Sequence, residues 1–179
     1  RIINDILDIS RVEAGRIELH EGEFDLKEAL ESAARLVSDQ VRRQELTLGL
    51  DIGIGLPPVH ADRRILEQAF LNLLYNAAKF TPSGGSITVR VAYDADGGLA
   101  ISFADTGIGI APEDIERVML PFGQVESRLS RKHAGTGLGL PLSETFIKLH
   151  GGRLEIESEV NKGTTVTIHL PKERLISKH

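Results

Sequence analysis

The chain has 179 residues, 41% of them hydrophobic, enough for one globular core with an appendage. A net charge of −5 opposes a backbone nucleic-acid binder, because displacing counterions from phosphates takes a basic surface. No cysteine is present, which excludes disulfides and thiolate metal sites, and no apolar run approaches the ~20 residues that span a bilayer, so a cytoplasmic segment is expected. The six histidines show no metal-ligand spacing either.

In RIINDILDISRVEAG, the residues Ile2, Ile3, Ile6, Leu7 and Ile9 crowd one side of a 3.6-residue helix. Asn4, Asp5, Asp8 and Arg11 fall outside that stripe, as in the end of a bundle helix or coiled coil. The pattern is already helical at Arg1, so the chain is expected to be a piece of something longer. Gly15 permits a stop, and Asp25 with Glu28 three residues on predicts a capped helix burying Leu26, Leu30, Ala33, Val37 and Val41.

A strand over 45–52 and a short one near Val59 come next, and Asp62 predicts the cap of a helix over 63–79. That helix sets a core stripe of Leu66, Phe70, Leu73, Ala77 and Phe80 beside a polar row of Asn72, Asn76 and Lys79. A core face bordering a polar row predicts a ligand at the seam. SITVRVAY and GLAISFAD, joined by DADGG, predict a hairpin. The glycine-rich stretch from Gly107 to Gly139, with Arg128, Arg131, Lys132 and His133 clustered in it, reads as a lid. A helix over about 139–150 and the strands RLEIES and TTVTIHL complete the pattern.

Three segments have chemistry beyond packing. An amide carbonyl such as that of Asn76 is a hard oxygen ligand suited to Mg²⁺, and Lys79 one turn on can meet a phosphate as a point charge. Amides on a half-exposed helix face that are merely solvated are the plainer account. In ADTGIGI a carboxylate, Asp105, stands at a strand end beside Gly107 and Gly109, which let the backbone bend toward a ligand. A buried aspartate there accepts a hydrogen bond from the exocyclic amine of adenine, where guanine would present a carbonyl. The alternative is a solvated turn carboxylate, or the Asp-Thr-Gly of an aspartic protease, which the strong helical periods oppose. In HAGTGLGLPLSETF, Gly135, Gly137 and Gly139 precede a helix, so free amides and the positive end of its dipole converge on a phosphate cradle. A glycine loop taken alone fits a flexible turn equally well, and the spacing is that of neither a dinucleotide fingerprint nor a P-loop.

The order of Asn-helix, DTGIG, PFGQV and GTGLGL resembles the N, G1, F and G2 boxes of sensor histidine kinases, within the wider nucleotide-binding family that includes DNA gyrase and mismatch-repair ATPases. The resemblance implies ATP and Mg²⁺ as cofactors, with Asn76 at the metal position and Asp105 reading adenine. Phe122 matches the F box, and Thr164 in NKGTTVTIHLP matches the hydroxyl supporting the aspartate. Gly107, Gly109, Gly135, Thr136, Gly137, Leu138 and Gly139 complete the nucleotide-binding set, with Asn72, Lys79 and Arg131 as catalytic candidates. The gyrase-like hydrolases carry a water-activating glutamate where Asn72 stands. An amide is a poor general base, so transfer is favoured over hydrolysis.

The implied fold is α+β, a two-layer sandwich of the Bergerat type whose mixed sheet is covered on one face by helices. Residues 1–18 resemble the end of the second dimerisation and phosphotransfer helix, 19–179 the catalytic domain, and about 108–138 its ATP lid. The implied partners are an upstream histidine-bearing helix, a response-regulator receiver domain and a second copy of the parent protein. A pseudokinase scaffold, an anti-sigma-type serine-protein kinase and a hydrolysing ATPase are the rival readings. PFGQVESRLSRKHAGTGLGLPL further resembles the alphaproteobacterial cell-cycle kinases of the PleC, DivJ and PdhS type.

Overall fold

The computed structural model describes residues 2–125 and 135–177. Helix α1 (Ile2–Glu13) is followed by β1 (Gly22–Phe24), α2 (Leu26–Arg43), β2 (Thr47–Ile52), β3 (Val59–Ala61), α3 (Arg63–Phe80), β4 (Ser86–Tyr93) and β5 (Leu99–Asp105). A 3₁₀ turn at Pro112–Asp114 leads into the short helix α4 (Ile115–Val118), and α5 (Gly139–Leu149), β6 (Arg153–Glu159) and β7 (Gly163–Leu170) follow. Among the described residues no helix is long and apolar enough to cross a membrane.

Local chemistry sets these boundaries. Asp25 caps α2 by accepting the amides of Lys27 and Glu28, and all five residues expected on its buried side are buried. The strand expected from 45 begins instead at Thr47, because Gln44 caps α2 and Glu45 takes a left-handed φ of 55° that no strand residue adopts. The stretch expected to be an irregular lid holds the turn at Pro112–Asp114 and α4 on its described part.

Strands run β2-β4-β5-β7-β6, with β2 and β4 parallel and the other pairs antiparallel, so the sheet is mixed. Alternation along β5 turns Leu99, Ile101 and Phe103 to one face, where the register aligns Phe103 with Val89 and Val166, and Ile101 with Val91 and Ile168. Helices cover that face. Phe70 of α3 meets Phe103 with ring centroids 5.9 Å apart, and burying each such ring stabilises by roughly 1.5–3 kcal/mol. The α+β sandwich expected from the sequence is present.

Asp62 and His150 fix α3 relative to α5. Asp62 Oδ1 accepts the amide of Ile65 and so caps α3, Oδ2 accepts the amide of His20, and the amide of Asp62 donates to His150 Nε2 at 3.1 Å. His150 is fully buried at the end of α5, and its Nδ1 lies 2.7 Å from the Phe146 carbonyl. An Nε2 that accepts and an Nδ1 that donates define a neutral imidazole.

The apolar stripe of α1 lies on its outer side. Ile3 is 74% exposed, with Ile6 and Leu7 also exposed, whereas Asp5, placed outside the apolar stripe, is 7% exposed. The helix lays its polar edge on the domain, where Gln68 Nε2 of α3 donates to Asp8 Oδ2 at 2.9 Å, while Ile9 and Val12 still pack on the core.

Candidate functional site

A cavity of about 770 Å³ opens between α3, the end of β5, the loop after it and the start of α5. That volume suits a small-molecule ligand. Asn72, Asn76, Lys79, Asp105, Gly109, Gly135, Thr136, Gly137, Gly139 and Thr164 all line it, so most of the residues singled out from the sequence converge there.

Asp105 reaches the cavity by continuing the inward alternation of β5 beyond Phe103. Its register row is Ile87, Asp105, Thr164 and Ser158, the place where the apolar face of the sheet gives way to polar groups. The amides of Gly107 and Thr164 donate to Asp105 Oδ1 at 2.8 and 3.2 Å. Among the described residues Oδ2 accepts no hydrogen bond, so it is the oxygen left for a ligand. Burial raises the carboxyl pKa above its ordinary value, and the two amide bonds oppose that rise.

Thr164 contributes differently from expectation. Its amide, not its hydroxyl, supports Asp105, and its Oγ1 lies 2.7 Å from Ser158 Oγ. Ser158 Oγ donates its one proton to the Gly163 carbonyl and accepts from the amide of Ile110 at 2.7 Å. The Thr164 hydroxyl is therefore the donor to Ser158. Ser158 thus ties the loop after β5 to the far hairpin. A serine in a strand of alternating charges carried no signal for that role.

The loop after β5 needs both of its glycines. A Cβ on Gly107 would overlap the Phe80 carbonyl oxygen, and one on Gly109, at φ +70°, would overlap the Glu159 carbonyl oxygen. The amide of Ile108 donates to the Phe80 carbonyl at 3.1 Å, and that of Asn161 to the Ile108 carbonyl at 2.8 Å. The loop is pinned between the end of α3 and the β6–β7 turn.

On the opposite wall, a Cβ on Gly139 would stand 3.8 Å from Asn76 Nδ2 and 3.9 Å from Asn72 Cβ. A side chain at 135 would overlap Lys79 Nζ. The polar row of α3 therefore borders the glycine loop. Helix α5 starts there without a side-chain cap, with Pro141 in its first turn, so its first amides remain available to an anion. Asn72 is 4% exposed and donates from Nδ2 to Ser143 Oγ at 3.3 Å, and Ser143 donates to the Gly139 carbonyl at 2.8 Å.

The described segments on either side of residues 126–134 meet. The amide of Phe122 donates to the Gly137 carbonyl at 3.1 Å, and Gln124 Nε2 donates to the Gly135 carbonyl. Three of the residues expected at the ligand do not line the cavity: Gly107, Phe122 and Leu138. The Phe122 side chain is 67% exposed, and Leu138 is fully buried beneath the loop. Arg131, like Arg128, Lys132 and His133, lies outside the described residues.

Residues 61–174 match the family described as histidine kinase-, DNA gyrase B- and HSP90-like ATPase. The chain belongs to that family. Within it, the chain is 49% identical over 174 residues to histidine protein kinase DivJ of Caulobacter vibrioides, covering 95% of this chain and 28% of that protein. It is 33% identical over 184 residues to the cell-division control histidine kinase PdhS of Brucella canis, covering 98% of this chain and 18% of the relative. The chain thus spans less than a third of the curated relatives it matches. Full-length ShkA solved in complex with AMPPNP superposes with a TM-score of 0.84 at 29% identity, covering 94% of this chain and 35% of that one. The family's ATP-binding fold is therefore the scaffold on which Asp105, the α3 row and the glycine loop are assembled.

Proposed function

We propose that this chain is the ATP-binding catalytic domain of a sensor histidine kinase. In the parent protein it transfers the γ-phosphoryl group of ATP to a histidine upstream, from which the group passes to an aspartate of a response-regulator receiver domain. One observation carries the reading: an aspartate with one oxygen saturated by two backbone amides and the other left open stands across a 770 Å³ cavity from an uncapped, glycine-rich helix start. A base with an exocyclic amine suits one end and a phosphate chain suits the other.

The residues divide the work by position. Asp105 Oδ2 accepts from the adenine amine, and the apolar Ile108 and Ile156 in the lining exclude water around the ring. The amides from Gly135 to Gly139 receive the phosphates, and Lys79 adds charge beside Gly135. Asn76 supplies the hard oxygen that fits Mg²⁺, whose contribution when bound is to neutralise phosphate charge. Asn72, buried and tied to Ser143, positions the start of α5 and has no basicity with which to activate water. Transfer between held groups is a matter of positioning and charge, so a site that spares ATP from water preserves it for histidine. Residues 1–18 are assigned to the end of a bundle helix that pairs with its counterpart in a homodimer of the parent, and about 108–138 to the lid.

Incubating the parent protein with γ-labelled ATP tests this. Acid-labile, base-stable label on the protein with little free phosphate is expected. Rapid phosphate release with no labelled protein would replace the reading with that of a hydrolysing ATPase.

A further inference from the structure

We propose that Asn161, in the turn between β6 and β7, is a second base-reading residue of the nucleotide site, pairing with the edge of adenine that Asp105 leaves open. The inference rests on the nucleotide reading above.

Its basis is placement. The amide of Asn161 donates to the Ile108 carbonyl at 2.8 Å, which fixes the turn against the loop after β5, and three residues on the amide of Thr164 holds Asp105 Oδ1. Asn161 accordingly lines the cavity at the same end as Asp105, Ile108 and Thr164. The backbone there is left-handed, at φ +66°, a conformation that glycine meets without strain. The residue present nonetheless carries a side-chain amide, and among the described residues that amide makes no hydrogen bond. Its neighbour Lys162 turns instead to Glu159, at 2.6 Å.

The donors at this end of the cavity are few. Asp105 and Asp114 offer carboxylate oxygens, which accept, and the one proton of the Thr164 hydroxyl goes to Ser158. Among the described residues there, Asn161 Nδ2 is the side-chain N–H donor still unspent. The exocyclic amine of adenine lies between two ring nitrogens and has two protons, so each edge shows a donor beside an acceptor. Asp105 Oδ2 takes one proton. Asn161 then takes the other on Oδ1 and donates from Nδ2 to the ring nitrogen beside it, the two-bond match of an asparagine to adenine. Guanine, with a carbonyl in place of the amine, cannot complete it.

Titration of this chain and its Asn161→Gly variant with ADP, 1-deaza-ADP and 7-deaza-ADP in Mg²⁺ tests the proposal. Glycine keeps the left-handed turn, and Lys162→Gln, in the same turn but not lining the cavity, is the control. Asn161→Gly should bind ADP about three- to tenfold more weakly, the size of neutral hydrogen bonds exchanged against water, with no loss for Lys162→Gln. With the deaza compound that lacks the nitrogen facing Asn161 the penalty should shrink to within about twofold, and with the other it should stay in full. Equal affinities of the two chains for ADP, an equal loss from Lys162→Gln, or a penalty that does not depend on which nitrogen is removed would overturn the role of Asn161 while leaving the nucleotide site standing. Absence of ADP binding by the unaltered chain would instead overturn the nucleotide reading on which it rests.

Discussion

The amide of Thr164 donates to Asp105 Oδ1 at 3.2 Å across the β5–β7 register pair, so a neighbouring strand decides which carboxylate oxygen is spent on the fold. The amide of Gly107 falls on the same oxygen. Two donors held by backbone cannot turn away. Any side chain at 105 must offer them an acceptor, and whatever remains faces the ligand.

This makes Asp105→Asn a sharp test. The amides hold the asparagine oxygen, so its NH₂ must face the adenine amine, donor against donor. Nucleotide affinity should fall about 10- to 100-fold, the size of a lost hydrogen bond to a charged group. Burial raises the folded-state pKa of Asp105, so the ionised form costs stability above that pKa and none below the unfolded value of 3.8. Melting temperature at pH 7 should therefore hold or rise while affinity drops. A fall in both would mean that the carboxylate serves the fold.

His150 predicts a pH dependence of stability. Burial is the largest cause lowering its pKa from 6.5, and the amide of Asp62 occupies Nε2. Above pH 6.5 both folded and unfolded forms are neutral there. As pH falls below 6.5 the unfolded chain gains a proton that the folded one resists, so stability declines toward the folded pKa. Urea unfolding at pH 7.5 and 5.5 should show that decline, and His150→Gln should flatten it.

Gly109 and Gly97 make a matched pair. Both have positive φ, +70° and +84°, but a Cβ at 109 would overlap the Glu159 carbonyl whereas one at 97 meets nothing within 4 Å. Gly97→Ala should cost about 1 kcal/mol, the strain of a left-handed alanine. Gly109→Ala should cost more, at least about 2 kcal/mol, and also weaken nucleotide binding by displacing the loop after β5. Equal costs in urea unfolding would show that the loop is not pinned as described.

Ser143 ties α3 to the start of α5 through Asn72 and the Gly139 carbonyl. Ser143→Ala removes both bonds and should destabilise by about 1–2 kcal/mol, with a several-fold loss of nucleotide affinity. Unfolding and AMPPNP titration of that variant measure the two effects separately.

Much of the architecture was legible because periodicity and capping agree. Asp62 stands before a run with a clear helical stripe, and α3 spans Arg63–Phe80 against an expected 63–79. The site was legible where chemistry lies in sequence-local spacing, as in the α3 row and the glycine loop. It was less so where partners are distant. Nothing near Thr164 reveals that its amide reaches Asp105 while its hydroxyl turns to Ser158, since that depends on strand register. Phe122 was expected at the ligand from its motif, yet its ring is 67% exposed and does not line the cavity.

The central claim is that the cavity at Asp105 holds ATP. Calorimetric titration of this chain with AMPPNP in Mg²⁺, set beside the guanine analogue GMPPNP, tests it most directly. The account predicts saturable one-to-one binding of the adenine compound and at least about tenfold weaker binding of the guanine compound. No binding of AMPPNP at millimolar concentration, or equal affinity for both bases, would contradict it.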